Sequence, residues 1–147
     1  MRKGIASQVF IYNFAVIVMA LILYFGFTQI ANLKSLQDKS IYVVFKNDFE
    51  SAVNDVYYKN SGSTLVFSKD SRNKPLELPK EINKICFDLD DDGNNVLLNS
   101  KKYDDFKIEH LKNDGCIDTV KGELNFKLIN VVDGEETFVE ISNVGTQ

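Results

Sequence analysis

The chain has 147 residues, with 17 Lys and Arg against 21 Asp and Glu, one histidine, two cysteines and no tryptophan. This acidic balance argues against a nucleic-acid partner, because phosphate binding is driven by clustered positive charge. One histidine and two cysteines without CxxC spacing cannot supply the usual donor set of a zinc site, and the length allows one domain beside an anchor segment.

The first predicted element is the most constrained. From Gly4 to Leu33 there is no Asp, Glu, Lys, Arg or His, directly behind Arg2 and Lys3. A helix crossing hydrocarbon needs roughly 20 mainly apolar residues, because every backbone polar group must be paired within the segment. A secretory signal has an apolar centre of only about 7–15 residues. Residues 5–33 are therefore expected to remain as a transmembrane helix, with Gln8, Asn13 and Gln29 as intramembrane amides able to join helices. Arg2 and Lys3 hold the N-terminus in the cytoplasm, against a weaker opposing bias from Lys34 and Lys39, so a single-pass topology with an extracellular head is predicted at the cell membrane. Without Arg2 and Lys3, 15 basic residues face 21 acidic ones, a head of net charge −6.

Past Leu33, apolar residues recur three or four apart at Leu36, Ile41, Val44, Phe45, Phe49, Ala52, Val53, Val56 and Tyr57. This spacing predicts an amphipathic helix over 34–60, with a stop in Asn60-Ser61-Gly62-Ser63. An unbroken helix from Ser7 to Tyr58 would be roughly 75 Å long at about 1.5 Å per residue; a bend at Lys39-Ser40 is the alternative.

Residues 63–147 form the predicted β-rich head. Ser63–Ser68 is β-rich, the segment from Asp70 to Pro79 reads as loop, and Lys84–Leu89 alternates with Ile85, Phe87 and Leu89 on one side. Glu123–Ile129 and Glu136–Ile141 flank Asp133-Gly134, a type I′ hairpin signal. That turn would place Leu128 opposite Val139, Phe126 opposite Ile141 and Lys127 opposite Glu140. The predicted fold class is α+β: a long N-terminal helix, transmembrane then amphipathic, packed on a small antiparallel β-sheet or β-sandwich head.

Cys86 and Cys116 are an even count in a compartment that permits oxidation, which favours one intrachain disulfide over two buried thiols. Asp88, Asp90 and Asp92 before Gly93 fit the opening of a calcium loop, although the twelfth position is Asn99 and the flanks read as strands; the competing reading is a solvated acidic turn. No catalytic motif is found: His110 reads as a surface strand histidine, and Asp104-Asp105 and Glu135-Glu136 as turn acids. A non-enzymatic protein without a cofactor, save for calcium at that loop, is expected.

The layout of helix and head, with Arg2-Lys3-Gly4 before Ile5-Ala6-Ser7-Gln8, resembles type IV pilins with a class III (prepilin-type) signal in its archaeal form. It is also similar to uncharacterised archaeal membrane proteins whose small head bears an Ile-Cys-Phe strand, here Ile85-Cys86-Phe87. The resemblance implies a leader at 1–4, cleavage between Gly4 and Ile5, export of the head and self-association through the helix. The pattern departs at Val9, where many pilins carry glutamate. The alternative class is a monomeric, membrane-tethered exterior module that binds a protein or surface ligand through its sheet or its acidic loop.

Overall fold

The structure is a computed structural model describing residues 3–90 and 93–144. It divides into two compact units, Met1–Asp38 and Lys39–Gln147. One helix, α1 (Lys3–Tyr57), contributes to both and runs as helix through Lys39 and Ser40. No proline interrupts it, so each backbone N–H beyond the first turn has a carbonyl four residues back.

In the second unit, Phe45, Phe49, Ala52, Val53 and Val56 of α1 are buried. These positions recur every three or four residues, which keeps them on one stripe of the helix. Leu36 and Val44, predicted to share this apolar face, are exposed. The inward stripe begins at Phe45, and Val44 lies about 100° around the helix from it.

The head has nine strands among the described residues: β1 (Thr64–Phe67), β2 (Leu76–Glu77), β3 (Lys84–Asp90), β4 (Gly93–Leu98), β5 (Phe106–Ile108), β6 (Gly115–Asp118), β7 (Glu123–Leu124), β8 (Phe126–Asp133) and β9 (Glu136–Asn143). They pair antiparallel as three sheets, β1-β8-β9, β2-β7 and β5-β4-β3-β6. The fold is α+β, as predicted. Phe49 joins the two larger sheets, its ring 6.1 Å from that of Phe87 on β3 and 5.4 Å from that of Phe126 on β8. The short strand β2 falls inside the stretch expected to be loop. Its Leu78 end is held by a 2.7 Å bond from the Leu78 N–H to the Gly122 carbonyl. A Cβ on Gly122 would stand 2.7 Å from the Leu78 carbonyl oxygen, and its φ is +81°, so only glycine fits this closure.

The β8–β9 hairpin forms, in a register that differs from the expected one. Asp133 pairs with Glu136, Leu128 with Ile141, Asn130 with Val139 and Ile129 with Glu140. The two-residue loop is thus Gly134-Glu135, with Gly134 at φ +63° and Glu135 not in the left-handed region. Glycine first with a left-handed φ is the requirement of a type II′ turn, whereas the expected I′ turn centred on Asp133-Gly134 needs both residues there. The difference is two residues, one full period of the strand, so every side chain keeps its predicted face. Phe126, Leu128, Val139 and Ile141 are accordingly all buried.

On β3, Ile85 and Phe87 face the core as expected, whereas Leu89 is 46 % exposed because the strand has passed the edge of the buried layer. Cys86 lies on the opposite face and is bonded to Cys116 (S–S 2.08 Å), its direct partner on β6. Cys116 is exposed and Cys86 half-buried, so the alternative of two buried thiols is corrected. The bridge closes a loop spanning 30 positions, which stabilises by about 3–4 kcal/mol in the chain-entropy model. The double variant Cys86→Ser, Cys116→Ser is therefore expected to lose about that much in urea unfolding of the full-length protein, with the far-UV spectrum of the native protein unchanged. A loss below about 1 kcal/mol, or free alkylation of both thiols in the native protein, would contradict this assignment.

Candidate functional site

Helix α1 is long and apolar enough to cross a membrane, and none of its most apolar 18-residue stretch is buried. Phe10, Ile11, Phe14, Val16, Ile17, Leu21 and Phe25 are all more than half exposed. A soluble chain rarely shows so long a run of exposed large apolar side chains, and hydrocarbon would accept it. Within this run the Thr28 hydroxyl donates to the Phe25 carbonyl at 2.9 Å, satisfying itself inside its own helix. Gly4 and Ile5 lie in α1, and only their backbone is described.

The end of α1 shows how the head grips its helix. The last helical turn carries no basic residue to meet its partial negative charge. Asn130 of β8 supplies the missing donors. Its side-chain Nδ2 lies 2.9 Å from the Val56 carbonyl, 2.9 Å from that of Tyr57 and 3.0 Å from that of Lys59. Its backbone accepts from the Gly62 N–H at 2.8 Å and donates to the Ser63 carbonyl at 2.9 Å. The Asn130 side chain is buried, with Oδ1 unpartnered. The sequence reading missed this residue. Its signal was a polar residue in an inward slot of β8, two positions beyond Leu128.

His110 adds a second hold on the same helix end. It was expected on a surface strand, and instead sits in the turn after β5 at φ +65°, half-buried. Its ring stacks on Tyr57 with centroids 3.7 Å apart and planes 10° from parallel. The turn also bonds to β9 through the Val139 N–H to the His110 carbonyl (2.7 Å) and the Lys112 N–H to the Val139 carbonyl (2.9 Å). Packing and backbone closure account for this histidine.

The acidic segment is only partly described. Asp88 is exposed on β3 and pairs in register with Asn95, and Asp90 pairs with Gly93. Of Asp90 only the backbone is described, and Asp92 lies outside the described residues. Asn99, the twelfth position of the calcium pattern, belongs to the far end of the hairpin: its N–H reaches the Lys84 carbonyl at 3.3 Å and its Oδ1 accepts from the Asn83 N–H at 3.0 Å. Among the described residues, no group of three or more His, Cys, Asp and Glu side chains is gathered closely enough to hold a metal ion.

Three of the four other acids read as turn residues have structural partners. Asp105 accepts from the Leu98 N–H at 2.9 Å, and the Asp104 carbonyl accepts from the Tyr42 hydroxyl. Burial, then the nearby charges of Asp104 and Asp105, push the Tyr42 hydroxyl above its ordinary pKa. Glu136 accepts from Lys112 Nζ at 2.7 Å, and this bond and charge hold its carboxyl below the usual range. Glu136 is fully exposed, so the pair adds little to stability.

A shallow groove of about 330 Å³ runs between α1 and β2, with Ile41, Val44, Phe45 and Leu76 as its apolar floor and Asp48 and Glu77 at its sides. Ile41 and Val44 are among the apolar helix positions that the core leaves over. Comparison with protein-family models, curated proteins and solved structures found no match.

Proposed function

We propose that this protein is a single-pass, membrane-anchored surface protein of pilin-like design, with its N-terminus in the cytoplasm and its disulfide-linked head outside. The observation that carries this reading is the division of one helix. Its first part exposes an uncharged apolar surface that water would penalise, and its second part supplies Phe45, Phe49, Val53 and Val56 to the core of the head. A disulfide on an exposed sheet face fits an oxidising exterior. Arg2-Lys3 before the uncharged run supports the orientation, and Gly4-Ile5 supports removal of a four-residue leader. In this reading the helix is both anchor and assembly element, and the protein performs no chemistry.

Protease added to intact cells is expected to digest the head, and intact-mass measurement of the membrane-extracted protein is expected to give a chain starting at Ile5. The variant Gly4→Leu should keep its leader. A head protected in intact cells would overturn the topology. A mature chain still beginning at Met1 would leave the anchor and remove the pilin-like processing.

A further inference from the structure

Three independent features meet in the groove between α1 and β2. Its floor is apolar, with Ile41, Val44 and Phe45 from α1 and Leu76 from β2, and Val44 is 53 % exposed. Its volume of about 330 Å³ is at the lower end of ligand-sized clefts. Asp48 and Glu77 flank the floor, both exposed, and among the described residues neither carboxylate has an ion pair or a hydrogen bond. Two neighbouring cations are engaged elsewhere: Lys69 pairs with Glu123 at 2.9 Å, and Lys74 donates to the Lys69 carbonyl at 3.1 Å. The third feature is an open backbone edge. Among the described residues β2 pairs with β7 alone, and the Leu78 N–H bonds to the Gly122 carbonyl. Antiparallel alternation therefore turns the N–H and carbonyl of Glu77 away from β7, to the edge that has no strand.

We propose that this groove docks an extended segment of a partner protein in which one large apolar residue stands between two Lys or Arg residues. The open edge suits a peptide backbone, which donates to the Glu77 carbonyl and accepts from its N–H as an added strand. Strand alternation then decides the side chains. A residue opposite Leu76 shares its face and reaches the floor, whereas the residue opposite Glu77 stands beside its carboxylate. An apolar side chain suits the first place and a cation the second. Asp48, one helical turn beyond Val44, offers a second negative charge to the other basic residue. The sequence of this chain contains no apolar residue flanked on both sides by Lys or Arg, so the occupant is a different protein. The groove belongs to the second unit alone, and the proposal holds whichever side of a membrane that unit occupies.

The probe is the capped pentapeptide Thr-Lys-Leu-Lys-Thr, titrated into the millimolar range against the isotope-labelled full-length protein in phosphatidylcholine nanodiscs, with backbone amide NMR shifts as the readout. Wild type is expected to show saturable shifts centred on Glu77 and Val44. Glu77→Lys should weaken binding about 3- to 10-fold, through loss of an exposed ion pair and gain of a repulsion, with head unfolding unchanged. Glu50→Lys, the same change of charge on another face of α1, should bind like wild type. Methylating the backbone nitrogens of both peptide lysines should weaken binding by a similar factor, because it removes the donor to the Glu77 carbonyl. Serine in place of the peptide leucine should abolish saturation. Absence of saturable shifts at Glu77 and Val44 overturns the proposal. Equal weakening by Glu50→Lys and Glu77→Lys also overturns it, since binding is then a general response to an acidic head, and full binding of the methylated peptide excludes the added strand. Self-association of wild type in sedimentation that Glu77→Lys abolishes would make the occupant a second copy and overturn the assignment to another protein.

Discussion

Phe49→Ala is expected to destabilise the head by about 3–5 kcal/mol, the usual cost of deleting a fully buried aromatic ring. Phe49 is 0 % exposed, stacks on Phe45 at 5.6 Å and meets Phe87 and Phe126 from two different sheets. The ring is thus the shared centre of α1, β3 and β8. Its loss leaves a cavity that three separately hydrogen-bonded elements cannot collapse to fill. Alanine has the higher helix propensity, which returns only a few tenths of a kcal/mol. Urea unfolding of the full-length protein in detergent, followed by near-UV circular dichroism, measures the effect. Phe10→Ala is the matched control: Phe10 is 73 % exposed on the same helix and should leave head unfolding unchanged. A Phe49→Ala cost below about 1.5 kcal/mol would mean that the three elements do not share one core.

Asn130→Asp is expected to cost about 3–5 kcal/mol at neutral pH, although the two side chains are nearly the same shape. The amide aims its nitrogen at three carbonyl oxygens near the end of α1. A carboxylate there has no proton to donate, sits at the negative end of the helix dipole and is buried without a cation. Burial and these carbonyls would raise the folded-state pKa of the new acid above its unfolded value near 3.9. The folded state then binds the proton more tightly than the unfolded chain. The penalty develops as pH rises from the unfolded value to the raised folded one, is complete above the latter, and shrinks on acidification as the protonated acid regains a donor. The stability difference between variant and wild type should therefore narrow towards pH 4, as measured by paired denaturant titrations. Asn130→Ala should cost about 2–4 kcal/mol through unsatisfied carbonyls and lost packing, with a gap independent of pH between 4 and 7. A pH-independent gap for Asn130→Asp would show that this side chain does not cap the helix.

Local periodicity and charge made the main elements legible in the sequence. The uncharged run behind Arg2-Lys3 marks the membrane-competent helix, the three-four spacing of Phe45, Phe49, Ala52, Val53 and Val56 marks the stripe beneath the head, and alternation marks β3, β8 and β9. The candidate sites were less legible. Cys86 and Cys116 followed from count and compartment, whereas their direct register on β3 and β6 came only with the paired strands. The roles of His110 and of the groove between α1 and β2 depend on residues far apart in the chain.

What the sequence alone determined about this protein is whatever a period or a run of like residues encodes: where the helix lies, which of its residues avoid water, which strand faces are apolar, and the sign of charge at each end. Tertiary structure decided the rest. The β8–β9 register moved by two residues because a glycine in the first turn position suits a II′ loop, and local pattern cannot tell this from the I′ alternative when both leave the same side chains inside. Asn130 became a helix cap for a similar reason. The end of α1 exposes carbonyls that need donors, and only the folded arrangement, with Val56 and Asn130 74 positions apart, brings a buried amide to them.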